Sequence, residues 1–286
     1  MSVNQIGALE RIKYNDEFRD DFEREKSLLV DCVRSDGLMN GKTITWDVLG
    51  LSDEAEERTR DGNIPESDLA LSQVTGATSE VFKKYRVDNF DAFTTNPNVR
   101  SAMNQKAIAA CNRAIDSKII TTLDTTTTTV NSGSAISFSS FGAILDWTTQ
   151  LWDNDVPSDG NVVGIVTPKA AAQMLRIEEY KSADYVGMRP AKDGVPAINA
   201  RKFLGAKWLM HTGLTGRGTA TAKCHLFHKN ALGHQLAGQP DLHPYYYEPQ
   251  DRWEAWAKAK HAADLCLPRG AIYATHDETA APLQDI

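Results

Sequence analysis

The sequence lacks the features of a membrane, secreted or disulfide-linked protein. No stretch approaches the 18 apolar residues that a membrane-spanning helix needs. The first residues, MSVNQIGALERIKYNDEF, show no apolar core before a cleavage site. Its cysteines are far apart, form no CxxC pair and predict reduced, buried thiols: Cys32, Cys111, Cys224 and Cys266. We therefore expect a protein that is cytosolic where it is made.

The sequence also lacks a surplus of positive charge. Lys and Arg number 31 against 38 acidic residues, which gives a net charge of −7. A protein that grips the phosphate backbone of nucleic acid needs the opposite balance. At 286 residues, 41% of them hydrophobic, the chain can fold as one large domain or two smaller ones. If nucleic acid lies nearby, such a protein would enclose it without binding its phosphate backbone.

Signatures of nucleotide binding are incomplete. Gly37 to Thr43 (GLMNGKT) almost matches a phosphate-binding loop, but three residues separate its glycines where four are needed. The residues after Lys42 and Thr43 favour a strand, whereas the motif requires a helix. The glycine-rich run Gly213–Gly218 lacks dinucleotide-binding spacing. We expect no cofactor, and no catalytic signature stands out.

One cluster of potential metal ligands lies within eleven residues: Cys224, His225, His228 and His234. Zinc needs four ligands in a tetrahedron. On a strand, His225 and His228 would point to opposite faces. We therefore expect ordinary strand histidines and no metal site.

The N-terminal third predicts an arm and a hairpin. Residues 8–34 interleave acidic and basic side chains, which is typical of either a solvated surface helix or an arm that docks on a neighbour. Asn40-Gly41 is turn chemistry, and Thr43–Leu49 is a β-branched run that predicts a strand. The polar stretch 52–80 carries eight acids against two bases. With a second strand-like run, Val81–Phe93, it indicates a projecting hairpin.

A long amphipathic helix follows this hairpin. Asn96 is a good N-cap and Pro97 suits the first helical position. Apolar residues recur every fourth position, with Ala110 and Ala114 widening the stripe: Val99, Met103, Ala107, Cys111, Ile115, Ile119 and Leu123. The helix should run for roughly 26 residues and end at Thr125–Thr129.

Residues 139–238 alternate between helical and strand patterns. Helices are predicted around Phe141–Trp152 and from Thr167-Pro168, with Trp147 and Trp152 in the core. Strands are predicted at Val162–Val166, Phe203–Met210 and His225–Leu236. This alternation favours an α/β or α+β fold.

The C-terminal part is ambiguous. Propensity favours a helix over Trp253–Ala259, whereas the alternation of its residues allows a strand. Ala271–Thr275 predicts a strand, and residues 276–286 predict a loose tail.

The order of these parts resembles the Hong Kong 97-type capsid fold of tailed phages, closest to podovirus-like major capsid proteins. The similarity spans about residues 40–275, and it lies in the order and spacing of several short stretches: Val87–Asp91, Asn104–Lys106, Ala114–Asp116, Ala183–Gly187, Lys202–Trp208 and Phe227–Gly233.

The resemblance implies an α+β fold, with Tyr245–Leu265 mostly strand. It implies five parts: an N-terminal arm (1–38), an E-loop hairpin (39–94), a peripheral domain with the spine helix (95–137), an axial domain (138–238), and peripheral return strands with the tail (239–286).

It also implies a function. The chain is expected to assemble with itself, as pentamers and hexamers, into an icosahedral virion shell built in the host cytoplasm. This shell would enclose double-stranded DNA without sequence-specific binding, and scaffolding, portal and decoration proteins are possible partners. One expected contact is aromatic: Trp46 would either anchor a neighbouring subunit or pack on the long helix of its own chain. The other expected contacts are charged residues of the hairpin: Asp53, Glu54, Glu56, Glu57, Arg58, Arg60, Lys83 and Lys84.

Three alternatives remain open. An encapsulin-like compartment would have the same fold but enclose protein. A soluble enzyme would use Lys42 and Thr43 on a nucleotide. A tail or connector protein would form tubes or rings.

Overall fold

The computed structural model describes residues 24–50, 57–58, 60, 62, 64, 68, 70–88, 99–181, 201–238 and 240–279. Residues 8–23 of the predicted arm, the N-cap Asn96 and much of the polar stretch 52–80 lie outside these residues.

The described residues form three sheets and four α-helices, an α+β fold. In chain order the elements are β1 (Leu38–Asn40), β2 (Thr43–Leu49), β3 (Leu71–Ala77), β4 (Ser79–Asp88), α1 (Val99–Leu123), α2 (Phe141–Trp152), β5 (Val162–Val166), α3 (Pro168–Met174), α4 (Glu178–Lys181), β6 (Arg201–Phe203), β7 (Ala206–Met210), β8 (Ala222–His228), β9 (Leu232–Leu236), β10 (Asp241–Tyr247), β11 (Arg252–Leu265) and β12 (Ala271–His276). The sheet orders are β1-β2-β3, β10-β11-β4 with β9 on β11, and β12-β8-β5-β7-β6.

The chain divides into two compact units. The first unit takes its described residues from Met1–Ser27, Glu80–Ala114 and Gly238–Lys260, and the second from Leu28–Ser79, Ile115–Ala237 and His261–Ile286. The five-part division implied by the resemblance stays a prediction.

The main core of the second unit surrounds the five-stranded sheet. Every residue of β5 is buried, as expected for a Val/Ile-rich strand covered on both faces. Trp208 packs against Trp147, and its indole N–H donates to the Phe203 carbonyl at 3.0 Å. Gly164 makes room for this ring, since an added Cβ would lie 2.5 Å from the indole.

The predicted long helix is confirmed: α1 has 25 residues and ends at Leu123. Cys111, Ile115 and Ile119 are buried as expected. Ala110 and Ala114 are only half-buried, and Ala109 and Ile120 are buried in their place. Residues four apart turn 400° on a helix of 3.6 residues per turn, so the stripe drifts around the axis. In the part of the chain described here, no helix is both long enough and apolar enough to cross a bilayer.

Several predicted elements are right in kind and wrong in extent. Phe203–Met210 is two antiparallel strands, because Leu204 and Gly205 turn between them with φ of 50° and 75°. A short 3-10 turn at Lys229–Ala231 likewise separates β8 from β9. Trp147 is buried as predicted, whereas Trp152, the last residue of α2, is 38% exposed.

The strand pairing of the predicted hairpin was wrong. The Asn40-Gly41 turn is confirmed, with Gly41 at φ 63° between β1 and β2. The partner of β2 on its other side is Leu71–Ala77, not the predicted Val81–Phe93. Most of that run instead lies in β4, next to β11. The sequence of β3, LSQVTGA, is polar and weakly strand-forming, so its pairing depends on β2.

The ambiguous C-terminal region is strand, as the resemblance implied. In β11, Ala255, Ala257 and Ala259 are buried, whereas the alternate Trp256 and Lys258 are half-buried. Period-two burial therefore overrides helix propensity.

The predicted loose tail is wrong at its first residues. His276 and Glu278 are buried. The Glu278 carboxylate accepts a hydrogen bond from the Gly218 backbone N–H. The backbone carbonyl of Glu278 accepts a hydrogen bond from Lys169 Nζ at 2.7 Å. The glycine-rich run Gly213–Gly218 thus binds the chain's own carboxylate.

Candidate assembly surface

Trp46 is buried in its own chain. It is 1% exposed and packs with Ile44, Ala262 and Cys266. A Cβ added at Gly233 would lie 2.6 Å from the indole, so this glycine leaves space for the ring. The expectation that Trp46 would be poorly buried within its own subunit is wrong, and the ring has no surface to offer a neighbour. Three of the residues against the ring, Gly233, Ala262 and Cys266, lie about two hundred residues along the chain, beyond the reach of local patterns.

The other predicted contacts of the hairpin lie in or near the acidic stretch. Glu57, Arg58 and Arg60 are exposed, and Arg58 Nε donates to the Gly62 carbonyl at 2.8 Å. Three more predicted contacts fall outside the described residues: Asp53, Glu54 and Glu56. The exposed positions remain predicted contacts.

Lys83 and Lys84 are adjacent on β4 but differ in their partners. Lys84 forms an ion pair with Glu254 and donates to Tyr245 Oη at 3.0 Å. Lys83 is exposed, with Nζ 5.1 Å from the centre of the Tyr85 ring. The charge of Lys84 is therefore used inside its own sheet, while Lys83 remains available.

Glu254 is the centre of that ion-pair group in the first unit. Hydrogen bonds from Lys84 and Tyr245, followed by Arg252, lower the pKa of Glu254 to about 2. Arg252 Nε lies 2.5 Å from Glu254 Oε1, and the carboxylate is 1% exposed. The group aligns β4, β10 and β11 at one level of the sheet, and sequence reasoning missed it because its members lie on three strands.

Next to that group, one face of the same sheet carries aromatic rings. His243 stacks on Trp256 with ring centres 4.3 Å apart, and Phe82 lies 6.1 Å beyond on β4. Phe82 is 59% exposed. The row ends in an apolar ring that meets solvent.

Large apolar side chains are exposed on the three-stranded sheet. Leu49 and Leu71 lie opposite each other in the β2–β3 register and are 64% and 77% exposed. Leu38 and Met39 on β1 are 65% and 57% exposed. Clustered exposed apolar side chains mark surfaces that bind another protein. Alternation from the buried Ile44 and Trp46 would have placed Leu49 outside, so a signal for it existed in the sequence.

A groove of about 500 Å³ adjoins this surface. It lies between the end of β2, the loop after α2 and the turn after β11. Its lining is mostly apolar and includes one arginine: Val48, Leu49, Val156, Leu267, Pro268 and Arg269. The groove and the exposed leucines form a continuous region of the second unit, because Leu49 belongs to both.

The potential metal ligands do not converge. His225 Nε2 lies 3.2 Å from Asp124, and His228 Nε2 lies 3.1 Å from Asp159. Cys224 lies in the main core, and the His234 ring lies 5.6 Å from His261. Among the residues described, no group of three or more His, Cys, Asp or Glu is placed to hold a metal ion.

Asp159 illustrates how these histidines are used. Hydrogen bonds from the backbone and side chain of Asn161 lower the pKa of Asp159 to about 2, and His228 adds to the effect. The carboxylate links His228 to the turn before β5, which is a structural arrangement.

Solved structures share the arrangement of these elements along nearly the whole chain. A structure from Mycobacterium phage Che8 matches with a TM-score of 0.70 and 17% identity, over 91% of this chain and 94% of that one. The capsid structure of cyanophage P-SCSP1u matches at 0.66 and 14%, over 92% of both chains. The mature capsid of bacteriophage PhiM1 matches at 0.66 and 10%, over 94% and 92%.

These likenesses confirm the predicted Hong Kong 97-type fold. No curated protein sequence matches this chain significantly. A family model described as phage capsid protein matches residues 9–278. The shell-forming structural role expected from the resemblance follows from that match, and the chain belongs to the phage capsid protein family.

Proposed function

We propose that the protein forms the pentamers and hexamers of an icosahedral shell that encloses the double-stranded DNA of a tailed phage. Assembly takes place in the host cytoplasm, with scaffolding, portal and decoration proteins as further partners. The net charge of −7 suits a container for DNA, since a strongly basic interior surface would bind the backbone and oppose packaging.

The observation that carries this proposal is the exposure of Leu49 and Leu71 beside an apolar groove. A monomeric protein rarely leaves such a region in water. Contacts of this kind between unlike surfaces of identical chains close into rings when the rotation between neighbours permits it. Exposed charges such as Arg58, Arg60 and Lys83 add contacts worth about 0–1 kcal/mol each at the rim.

The first test is electron microscopy of the purified chain beside size-exclusion chromatography. We expect closed polyhedral shells, or rings of five and six subunits. Tubes would contradict the proposal and favour a tail protein. Particles purified from infected cells should contain double-stranded DNA, and particles with only protein cargo would favour an encapsulin-like compartment.

The second test removes the acidic loop while keeping the strands. Gly50 N–H donates to the Ala70 carbonyl at 2.7 Å, so these residues already face each other. Replacing residues 51–69 by Asn-Gly closes the strands with a two-residue turn. The subunit should fold with unchanged circular dichroism but form no shells. A matched control keeps the loop and changes only Ser72→Ala on β3; its shells should be normal.

A further inference from the structure

The segment that leads out of the N-terminal arm, Leu28–Arg34 (the arm root), is held in the second unit by hydrogen bonds at its two ends and by buried side chains. Leu28 and Leu29 N–H groups donate to the buried carboxylate of Asp116 on α1, at 3.2 and 3.3 Å. At the other end, Arg34 N–H donates to the Leu232 carbonyl at 3.0 Å, and His234 N–H donates to the Arg34 carbonyl at 2.8 Å. These hydrogen bonds fix the two ends of the arm root to α1 and β9, and Leu29, Cys32 and Val33 are buried between the two ends.

Three buried histidines lie at these attachment points. His211 Nε2 is 3.5 Å from Asp116 Oδ2. His234, whose backbone holds Arg34, faces His261 on β11 with ring centres 5.6 Å apart. His234 and His261 are each 1% exposed. In the described part of the chain, His234 Nε2 and both ring nitrogens of His261 have no hydrogen-bond partner.

Burial is the main cause that opposes protonation of His234 and His261. Burial lowers the pKa of His234 to about 4, repulsion from His261 adds to this, and Asp116 acts in the opposite direction. Burial lowers the pKa of His261 to about 4 as well, with Lys118 on α1 adding to the effect. Near the arm root, the electrostatic environment of Cys32 includes Lys207, Lys229, Asp31 and Asp116. Near neutral pH, both imidazoles are therefore buried without charge.

We propose that His234 and His261 form an acid-operated latch on the arm root: when they take up protons, Leu28–Arg34 leaves α1 and β9 while the five-stranded sheet stays folded. A charged imidazole without partners must reach water or lose a large solvation energy. Releasing the arm root breaks the hydrogen bonds named above and exposes Leu29, Cys32 and Val33, whereas opening the main core exposes many more buried side chains, Trp147 and Trp208 among them.

Cys32 lies within the arm root, is 4% exposed and can report its release. The experiment uses the full chain with Cys111, Cys224 and Cys266 replaced by serine. Labelling with 4,4′-dithiodipyridine, which reacts in acid, is followed from pH 7.5 to 4.5 and divided by the rate for denatured protein at the same pH. We expect the normalised rate to rise at least tenfold below pH 6.

A second single-cysteine protein reports on the core. It keeps only Cys224, which is fully buried in the five-stranded sheet. Cys224 should stay protected at every pH at which Cys32 reacts. Loss of protection at both cysteines together would mean global unfolding and would overturn the proposal.

Two sets of substitutions test the histidines themselves. His234→Gln with His261→Gln should reduce the rise at Cys32 to less than twofold. Lys118→Met, at a half-exposed position, should give a smaller rise than the parent protein because the pKa of His261 returns toward its ordinary value. His228→Gln, a buried histidine away from the arm root, should leave the full rise. A full rise in the double-glutamine protein, or in Lys118→Met, would refute the latch.

Discussion

The five-stranded and three-stranded sheets both belong to the second unit, and each buries a tryptophan to 1% exposure, Trp208 in the former and Trp46 in the latter. Trp208 packs against Trp147 within a large aromatic core and donates its indole N–H to a carbonyl. Trp46 packs in a smaller cluster with Ile44, Ala262 and Cys266, and its indole nitrogen has no hydrogen-bond partner among the described residues.

The solvent-facing sides of the two sheets differ as well. All five residues of β5 are buried, whereas the three-stranded sheet leaves Leu49 and Leu71 in water. A region that buries both faces completes its stability within one chain, and a region that buries one face depends on another surface for the rest. The first sheet therefore stabilises the subunit, and we propose that the second is where subunits meet.

The largest expected effect is in the main core. Trp208→Ala should lower the free energy of unfolding by about 4 kcal/mol, because it leaves a cavity and removes a buried hydrogen bond. Urea unfolding of the unassembled subunit measures this. Trp152→Ala, at a residue 38% exposed, is the control and should cost less than about 1 kcal/mol. Equal costs would show that the main core is not the stabilising region.

The matching substitution in the three-stranded sheet should cost less. Trp46→Ala is expected to lower the unfolding free energy by about 3 kcal/mol, at the low end for tryptophan, because the adjoining groove lets the site collapse. Trp46→Phe should cost less than Trp208→Phe, since only Trp208 loses an indole hydrogen bond. The reverse order in urea unfolding would overturn the contrast between the two regions.

Acid should next weaken the β9–β11 strand pair, whose Gly233 and Ala262 pack against Trp46 of the three-stranded sheet. His234 and His261, with pKa values lowered to about 4 from 6.5, bind fewer protons than in the unfolded chain. Their stabilising contribution is complete above pH 6.5 and is lost as the pH falls toward 4. We expect a loss of up to about 3 kcal/mol for each histidine over this range. Urea midpoints measured at several pH values test it, and the protein with both histidines changed to glutamine should show a flatter profile.

The smallest effect on folding should accompany a large effect on assembly. Leu49→Ser with Leu71→Ser should change the unfolding free energy by less than about 0.5 kcal/mol, because both side chains are exposed in the subunit. Shells counted by electron microscopy should be lost. Thr75→Ala, an exposed position on the same strand, should assemble normally. Normal shells from the double-serine protein would show that this surface does not join subunits.

Local chemistry predicted much of the fold. The Asn40-Gly41 turn, the helix to Leu123 and the Thr167-Pro168 start are where the sequence indicates, and Thr167 Oγ1 accepts the Ala170 N–H at 3.3 Å as an N-cap should. Each of these features depends on residues close to it in the sequence, so a short stretch of sequence is enough to predict it.

Contacts between distant parts of the chain decided the rest. Trp46 is buried by Gly233 and Ala262, and β2 pairs with the polar β3, which no window around residue 46 shows. The exposure of Trp46 was mispredicted for the same reason, because exposure depends on which distant residues cover a side chain.

The sequence by itself determined where turns, caps and the long helix lie, and through its order of elements which family of folds it resembles. Only the tertiary structure decided that β2 pairs with β3, that Trp46 is core and that Leu71 faces water. Propensities act between neighbours in the chain and are worth at most about 1 kcal/mol per residue, whereas burial against remote partners is worth about 1.5–3 kcal/mol per large apolar side chain. Where the two conflict, burial determines the outcome.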